Sequence, residues 1–539
     1  MKAAVRSGGV ALLFVVLTIA MTWPQAASMG TRVYDADDPL LSIWRISWIA
    51  HIVPIDPLNI FNGNIFYPEK RTLAYTDSVL LQGAAGAPLI WAGVSRVTTY
   101  NLLLLLSMAL SGWAMWRYAL DLTGETGAAI VAGIVFAFVP YRFDHYLHLE
   151  LQATIFLPLT LMYFDRAVAS GSKRDGWLTM ASFVAQLYSC IYYSVFLATA
   201  LVPIAAIRLW FATPEKRLAF IRAIWLPVIV ALIAAAPYAI AYGLNRGSLG
   251  ERLDRDVLLY SASLRNYLAT PEWNVIHGGW SRQFGQPERL LFPGVLAIVL
   301  TVAGLLTIDR RRAILIALGA TGFVISLGLH SPFYEPLRAV MFPYRGLRAP
   351  ARASILLFLA MAALAAFGWA RLMRNRPKRV QAIATIAMSL ALLIEYRTRM
   401  EAWLTVPSEP AQVYRWLSAQ PRSVVAEVPF ARADALHSIS DGIYMFNSTW
   451  HWQPIVNGYS GFFPKTFIDL AEHTASFPDE RSIAYLKDRG VDLLVIHGNL
   501  MDPQQFGSIT AALLARPDME ALAQYEEQMG SDMVFRIRR

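Results

Sequence analysis

The segment 79-VLLQGAAGAPLIWAG-93 is apolar, but it is short and is interrupted by glycines and a proline. Whether it crosses a membrane determines on which side every later loop lies. If it crosses, four basic loops lie opposite the N-terminal Lys2 and Arg6, against the tendency of Lys and Arg to stay in the cytoplasm. We predict that it does not cross. The loops that then join the N-terminus in the cytoplasm are 171-GSKR-174, 214-PEKR-217, 309-DRRR-312 and 371-RLMRNRPKR-379.

The composition of the 539-residue chain is typical of an integral membrane protein. Hydrophobic residues make up 56% of it and charged residues only 16%, whereas soluble domains carry about 25% charged residues. The formal net charge of +9 is explained by cytoplasmic membrane loops, so we predict no nucleic-acid partner. Because Cys190 is the only cysteine, the chain forms no intrachain disulfide and no cysteine-based zinc cluster.

We predict about eleven membrane-spanning helices, with the N-terminus in the cytoplasm and the C-terminus outside it. The first covers the apolar residues 8–27, close to the roughly 20 residues needed to cross a ~30 Å hydrocarbon core. A signal peptide cleaved near 26-AAS-28 is the alternative that we favour less. The other ten lie near residues 99–120, 127–141, 151–168, 176–193, 194–212, 221–243, 289–308, 313–329, 353–370 and 380–396.

The predicted fold is a polytopic α-helical membrane protein with a C-terminal extracytoplasmic α/β domain. Residues 1–405 form the membrane domain, and residues 29–98 within it form a long first outer loop. Residues 406–539 contain no run long enough to span a membrane. Helix-like segments alternate there with strand-like ones, such as 423-SVVAEVPF-430 and 491-VDLLVIHG-498, as in a small α/β domain.

The first outer loop is rich in carboxylates. They are Asp35, Asp37, Asp38, Asp56 and Asp77. Asp38 stands before Pro39, a pattern that favours a helix start with Asp as the N-cap. Leucine and tryptophan then recur at helical spacing over residues 40–52, which predicts an amphipathic helix lying on the outer leaflet. Asp38 is therefore a candidate cap and a candidate catalytic acid, whereas a solvated loop is the interpretation that we favour for Asp35 and Asp37.

The second outer loop, 141-YRFDHYLHLE-150, combines histidines with acids. They are Asp144, His145, His148 and Glu150. The spans themselves contain almost no ionisable residues, unlike those of ion-coupled transporters, so any chemistry is expected at the outer surface. These four residues are candidate metal ligands. We favour ordinary polar contacts and predict no metal site, while a divalent cation stays open as a cofactor.

Three arginines stand in 344-YRGLRAPAR-352, just before the tenth predicted span. Their spacing of three and four residues places Arg345, Arg348 and Arg352 on one face if this segment begins the helix. They lie on the side of the membrane that the positive-inside rule disfavours, which indicates an anionic partner such as a phosphate. Charge that only flanks the span, or pairs with lipid headgroups, is the alternative.

The centre of the C-terminal segment, 444-YMFNSTWHWQPIVNGYSGFFP-464, is rich in aromatic and amide side chains and poor in charge. Aromatic faces and amides hold sugars, but the core of a small domain has the same composition. Both interpretations stay open. The candidate sugar or acceptor contacts are Trp450, His451, Trp452, Asn457 and Tyr459 from this segment, with His148 from the second loop.

This layout resembles the GT-C superfamily of membrane glycosyltransferases. The resemblance rests on the acidic first loop with DDPLL, the histidine-containing second loop, and the segments 288-ERLLFPG-294, 345-RGLRAPAR-352 and 449-TWHWQPIVNGYSGFFP-464. It implies transfer of a sugar from a polyprenyl-phosphate carrier to a glycan, lipid or protein acceptor at the outer face of a bacterial cytoplasmic membrane.

The same resemblance implies roles for the acids. Asp38 matches the first-loop base of the superfamily, although the neighbouring Asp35 and Asp37 leave that assignment ambiguous. The second-loop acid is Asp144 or Glu150. Physical chemistry agrees with this scheme, because an acceptor hydroxyl needs a base and a departing lipid phosphate needs cationic stabilisation.

Two other functions fit the same topology. A lipid or polysaccharide transporter needs a polar path through the bilayer, and the uncharged spans argue against one. A non-catalytic scaffold for another envelope enzyme would carry the same spans. The sequence does not discriminate between that scaffold and an enzyme.

Overall fold

The computed structural model describes residues 2–286, 288–527 and 530–538, and it is mainly helical. The α-helices in chain order are α1 Lys2–Met21, α2 Asp37–Ile52, α3 Leu80–Trp91, α4 Arg96–Thr123, α5 Thr126–Phe138, α6 Tyr141–Asp144, α7 Leu149–Gln152, α8 Phe156–Ser170, α9 Lys173–Ser189, α10 Ile191–Trp210, α11 Pro214–Leu249, α12 Asp254–Leu259, α13 Gly278–Ser281, α14 Val295–Leu305, α15 Arg310–Ser326, α16 Tyr334–Val340, α17 Ser354–Met373, α18 Lys378–Tyr396, α19 Gln412–Ser418, α20 Ile439–Ser448, α21 Lys465–His473, α22 Glu480–Asp488 and α23 Pro503–Leu514.

The strands form two sheets. Their bounds are β1 Arg32–Tyr34, β2 Trp403–Thr405, β3 Val425–Val428, β4 Leu493–His497, β5 Met519–Glu527 and β6 Gly530–Ile537. β1 and β2 pair antiparallel. The other four have the order β3-β4-β6-β5, in which β3 and β4 are parallel and the remaining pairs are antiparallel. This four-stranded sheet lies within the C-terminal segment, and the extracytoplasmic α/β domain stays a prediction.

The chain divides into two compact units. The first comprises Met1–Ser28, Asn101–Pro237 and Glu251–Ala402, and the second comprises Met29–Tyr100, Tyr238–Gly250 and Trp403–Arg539. The first outer loop thus folds with the C-terminal segment. The division of the sequence into domains 1–405 and 406–539 stays a prediction.

The first unit holds most of the residues of the long apolar helices. A helix lies in each of the eleven segments predicted to span. Among the described residues, six helical stretches are long and apolar enough to cross a membrane: Arg96–Thr123, Thr126–Asp144, Ile191–Trp210, Pro214–Gly247, Pro350–Met373 and Lys378–Tyr396. The count of eleven spans stays a prediction, because helices such as α14 are shorter than the usual span.

Small residues allow helices α14 and α17 to pack closely. A Cβ added to Gly304 would lie 2.1 Å from the carbonyl oxygen of Leu364, and one added to Gly368 would lie 2.0 Å from that of Leu300. In lipid, close backbone approach through small residues supplies much of the helix–helix attraction. These two glycines therefore fix how α17 stands beside α14.

In the second unit, helix α2 differs from its prediction in two ways. It begins at Asp37, with Ala36 as an N-cap that makes no side-chain cap, so the prediction of Asp38 as N-cap is wrong. The amphipathic surface helix is also wrong, because thirteen of its sixteen residues are buried. Helices α3 and α20 pack against it.

Specific contacts explain this burial. The indole N–H groups of Trp44 and Trp48 donate to Asn64 Oδ1 at 2.9 Å and to the carbonyl of Ile60 at 2.8 Å. On α3, a Cβ at Gly83 would lie 2.3 Å from Ile49. The tryptophans are thus interior anchors with satisfied donors and do not mark a headgroup layer.

A buried ionic group stands in the sheet of the second unit. The ring of His497 on β4 bridges two carboxylates, with Nδ1 3.0 Å from Asp532 Oδ1 on β6 and Nε2 3.0 Å from Glu427 Oε2 on β3. The hydroxyl of Tyr414 also donates to Glu427 Oε2, at 2.8 Å. Burial opposes the charge on His497, but the hydrogen bonds to Asp532 and Glu427 raise its pKa to about 9.

Membrane orientation is open to a direct test. In a Cys190→Ser background, Lys173→Cys and Glu335→Cys place single exposed thiols in loops that the topology assigns to opposite sides. We expect a membrane-impermeant maleimide to label Glu335→Cys in intact cells and Lys173→Cys only after permeabilisation. Labelling of both thiols from outside would contradict the eleven-span topology.

Candidate active site

A cluster of charged and polar side chains in the first unit comes from three distant stretches. Glu288, between α13 and α14, accepts hydrogen bonds from Arg352, with Oε2 lying 2.9 Å from Nε and 2.8 Å from a terminal nitrogen. Arg348 approaches the other oxygen of Glu288 at 3.9 Å. His148, from the second loop, places Nε2 3.5 Å from Arg352. The fold thus joins residues that lie up to 204 positions apart.

Glu288 is the anion of this cluster. Its side chain is only 15% exposed. Burial opposes its ionisation, but the charge of Arg352 above all outweighs burial and lowers the pKa of Glu288 to about 2. Its backbone has φ of 63°, a left-handed conformation that is costly for a residue with a side chain. The carboxylate is therefore ionised and held in place at neutral pH.

The two arginines are not equivalent. The side chain of Arg352 is 6% exposed, and its guanidinium is engaged by Glu288. That of Arg348 is 22% exposed and lies beyond hydrogen-bond distance from Glu288. Arg348 also stands 5.2 Å from the ring of Tyr260, and its backbone N–H donates to the hydroxyl of Tyr192 at 3.0 Å. Arg348 therefore presents the more accessible cation.

A third arginine adds positive charge nearby. Burial lowers the pKa of Arg252 to about 10, and the like charge of Arg348 acts in the same direction. Even so, Arg252 stays charged at neutral pH. The surroundings of Arg348 are thus electropositive, apart from the carboxylate of Glu288.

The second-loop residues lie against the same cluster. His145 is fully buried, and burial and its neighbour His148 lower its pKa well below the usual range. Among the described residues, neither ring nitrogen of His145 and not Oδ2 of Asp144 has a hydrogen-bond partner. Glu150 is buried and acts electrostatically on Arg352. Buried polar atoms without partners are typical of sites that receive water or substrate.

The described residues contain no group of three or more His, Cys, Asp and Glu side chains that could hold a metal ion.

The third predicted arginine, Arg345, lies apart. It ends a short 3₁₀ helix, Phe342–Arg345, and a second one, Pro350–Ala353, precedes α17. The expectation that Arg345, Arg348 and Arg352 share one face of a continuous helix is therefore wrong. Gly346 and Pro350 break the helical path within the segment. Arg345 donates instead to the carbonyls of Arg338 and Ala339 at 3.0 and 3.2 Å.

The first-loop acids belong to the second unit. Asp35 has φ of 72°, and its Oδ1 accepts the N–H of Ala36 at 2.6 Å. Asp37 and Asp38 occupy the first turn of α2, where the helix dipole favours negative charge. Burial, then Asp35 and Asp38, raise the pKa of Asp37. This local group contains one carboxylate with enhanced proton affinity.

The predicted aromatic sugar contacts take part in the packing of the second unit. Trp452 stacks on His51 of α2 with ring centroids 4.2 Å apart, and the guanidinium of Arg96 lies 4.0 Å above Trp450. His451 stacks on Tyr414. Of these side chains, Trp450 and Trp452 are only partly buried. A sugar role for these two residues stays a prediction.

Two further members of the predicted set are interior. Tyr459 is 8% exposed and meets His437 edge to face. Asn457 is fully buried: it accepts the backbone N–H of Glu427 at 2.8 Å and donates to its carbonyl at 3.0 Å and to Asp441 at 3.2 Å. These hydrogen bonds tie Asn457 to β3, and a sugar or acceptor role for Tyr459 and Asn457 stays a prediction.

Reasoning from the sequence missed Glu288, Arg252 and Tyr192 as site residues. The segment 288-ERLLFPG-294 was noted only as part of a resemblance. A signal for Glu288 was nevertheless present, because it is a lone acid placed just before an apolar run on the predicted outer side. Arg252 and Tyr192 carried no such signal.

Comparison with known proteins adds to this geometry. A family model described as a domain of unknown function (DUF6311) matches residues 56–333, more than half of the chain. The crystal structure of ArnT from Cupriavidus metallidurans in the apo state is similar, with a TM-score of 0.53, 13% sequence identity and 98% of each chain covered. No curated protein matches the chain in sequence.

The likeness to ArnT concerns the fold. Together with the apolar helices, it confirms the prediction of a polytopic helical membrane protein.

Proposed function

This chain belongs to the DUF6311 family, and we propose that it is a GT-C-type membrane glycosyltransferase. It transfers a sugar from a polyprenyl-phosphate carrier to a glycan, lipid or protein acceptor. The ArnT-like fold along the whole chain supports this class of enzyme. The proposed location is a bacterial cytoplasmic membrane, with the N-terminus inside and the site at the outer face.

The proposed reaction forms one bond and breaks one. The acceptor hydroxyl oxygen attacks the anomeric carbon of the sugar, and the bond from that carbon to the phosphate oxygen breaks. The electron pair of the broken bond leaves with the phosphate, which becomes a monoester. The hydroxyl proton passes to a carboxylate of the protein, so charge and atoms balance.

The observation that carries the proposal is the arginine cluster around Glu288. Arginine binds two phosphate oxygens with its planar fork and stays charged near lipid. Arg352 is buried and bonded to Glu288. Arg348 is partly exposed, and the 3.9 Å between its guanidinium and Glu288 Oε1 is too long for a hydrogen bond. Arg348 is therefore our candidate for the direct phosphate contact, with Arg252 and Arg352 adding positive potential.

We propose Asp38 as the base that receives the acceptor proton. Asp37 is the next candidate, because its raised pKa suits proton acceptance near neutral pH. In the other unit, Asp144 and Glu150 are candidates for a supporting acid beside the arginines.

Arg348→Lys tests the phosphate site. Lysine keeps the charge but loses the fork, so we expect roughly tenfold weaker binding of a polyprenyl monophosphate to the purified protein. Arg345→Lys is the matched control, because Arg345 binds backbone carbonyls away from Glu288. Both variants are expected to keep the wild-type melting temperature. Equal lipid affinity in the two variants would argue against Arg348 as the phosphate contact.

A further inference from the structure

Glu288 places a fixed negative charge directly beside Arg348 and Arg352. We propose that Glu288 is a specificity-determining residue that weakens binding of the dianionic carrier product relative to the monoanionic donor, and so promotes product release. The inference rests on the function proposed above. It goes beyond that function because it concerns how the site discriminates between the donor lipid and the released carrier.

The geometry gives Glu288 two unequal oxygens. Oε2 is fixed by two hydrogen bonds from Arg352 at 2.9 and 2.8 Å, whereas Oε1 lies 3.9 Å from Arg348. A phosphate bound by Arg348 would therefore share this guanidinium with Oε1 and feel its charge. Three residues after Glu288, the backbone N–H of Leu291 donates to the backbone carbonyl of Asn266 at 3.1 Å. This hydrogen bond restrains the loop that carries Glu288. The carboxylate has little freedom to move away.

The two lipids differ in charge. The donor is a phosphodiester with a single negative charge. The released carrier is a monoester whose second ionisation has a pKa of about 6, so it is close to a dianion above neutral pH. Repulsion from a fixed carboxylate scales with the ligand charge. Glu288 therefore penalises the product about twice as strongly as the donor.

The remaining groups around Glu288 act on both lipids. They are Arg348 and Arg352 before α17, and Asp144, His145 and His148 from the second loop. A simple site made of arginines would favour the dianion. The change in the ratio of the two affinities between the wild type and Glu288→Gln isolates the contribution of Glu288, because the other charged groups are the same in both proteins.

The experiment compares a polyprenyl monophosphate with its methyl phosphodiester, both of the same chain length, on the full-length protein in nanodiscs at pH 8. For the wild type we expect the monoester to bind no more tightly than the diester. In Glu288→Gln, which keeps hydrogen-bond acceptance from Arg352, we expect the monoester to gain ~10-fold relative to the diester. Glu288→Asp keeps the charge and is expected to retain the wild-type ratio.

Several results would overturn the inference. The inference is overturned if the wild-type protein binds the monoester ~10-fold or more tightly than the diester. This measurement needs no variant, so it decides the question even if Glu288→Gln fails to fold. An unchanged ratio of monoester to diester affinity in a folded Glu288→Gln protein would also overturn the inference. That result would not contradict the proposed phosphate site. If neither lipid binds the wild type, the proposed function fails together with the inference.

Discussion

Asp38→Asn is expected to lower the rate of sugar transfer by ~10²–10⁴, the usual contribution of a positioned general base. Asparagine has the shape of aspartate but accepts no proton at neutral pH. Because Asp38 lies in the first turn of α2 and is not its cap, the substitution keeps the side-chain shape and removes a favourable dipole interaction of about 0.3–1 kcal/mol. The melting temperature and the affinity for polyprenyl phosphate are therefore expected to stay near the wild-type values.

Two neighbours supply controls for Asp38. Asp35→Asn keeps an oxygen that can accept the N–H of Ala36, and asparagine tolerates the left-handed backbone seen there. Its activity is expected to remain within a few-fold of the wild type. Full activity in Asp38→Asn together with inactive Asp37→Asn would assign the base to Asp37. Full activity in both would direct attention to Asp144 and Glu150.

The second large effect is expected for His497→Ala, on stability. The substitution removes the cation between two buried carboxylates, Glu427 and Asp532. Leaving one member of a buried ion pair uncompensated costs roughly 3–5 kcal/mol. The thermal unfolding of the full-length protein, followed at neutral pH, measures the loss. His473→Ala is the control, because His473 is partly exposed, stacks on Tyr485 and bonds to the backbone carbonyl of Asp469, with no carboxylate in an ion pair with it among the described residues.

The same histidine gives a pH dependence with a defined sign. Its folded-state pKa of about 9 lies above the ordinary value of 6.5. The stabilisation, ~3 kcal/mol, is fully present below pH 6.5 and is lost as pH rises through about 9. We therefore expect the wild-type melting temperature to fall across that interval more steeply than that of His497→Ala. Parallel profiles for the two proteins would mean that His497 is not the titrating group.

The existence of helices was largely predictable from the sequence, because long apolar runs must form helices in lipid. The packing of these helices was less predictable from the sequence. In α2 the spacing of leucine and tryptophan identified a helix. That spacing cannot show how many faces of the helix other parts of the chain bury. Helix α20 lies about 400 residues later in the chain. It was this distant partner, with α3, that buried the face expected to meet lipid.

The candidate site shows a similar division. Arg348 and Arg352 were predicted from their charge on the outer side, and the structure brings both to Glu288. Their spacing suggested a helical stripe including Arg345, but Gly346 and Pro350 interrupt the helix. Glu288 itself was missed, because one carboxylate at the edge of a loop carries no periodicity. Its position next to two cations from another segment is seen only in the structure.

The shared core of the second unit has a consequence for synthesis of the protein. Helix α2 packs with residues from beyond position 403, such as Tyr444 and Met445 of α20, in one hydrophobic cluster. A ribosome adds about 300 residues between the end of the first loop and the start of its partner segment. At ~5–20 residues per second, that interval lasts roughly 15–60 s. During this time the apolar side chains of α2 lack the partners that the C-terminal segment supplies, so the core of this unit is completed only after most of the chain has been synthesised.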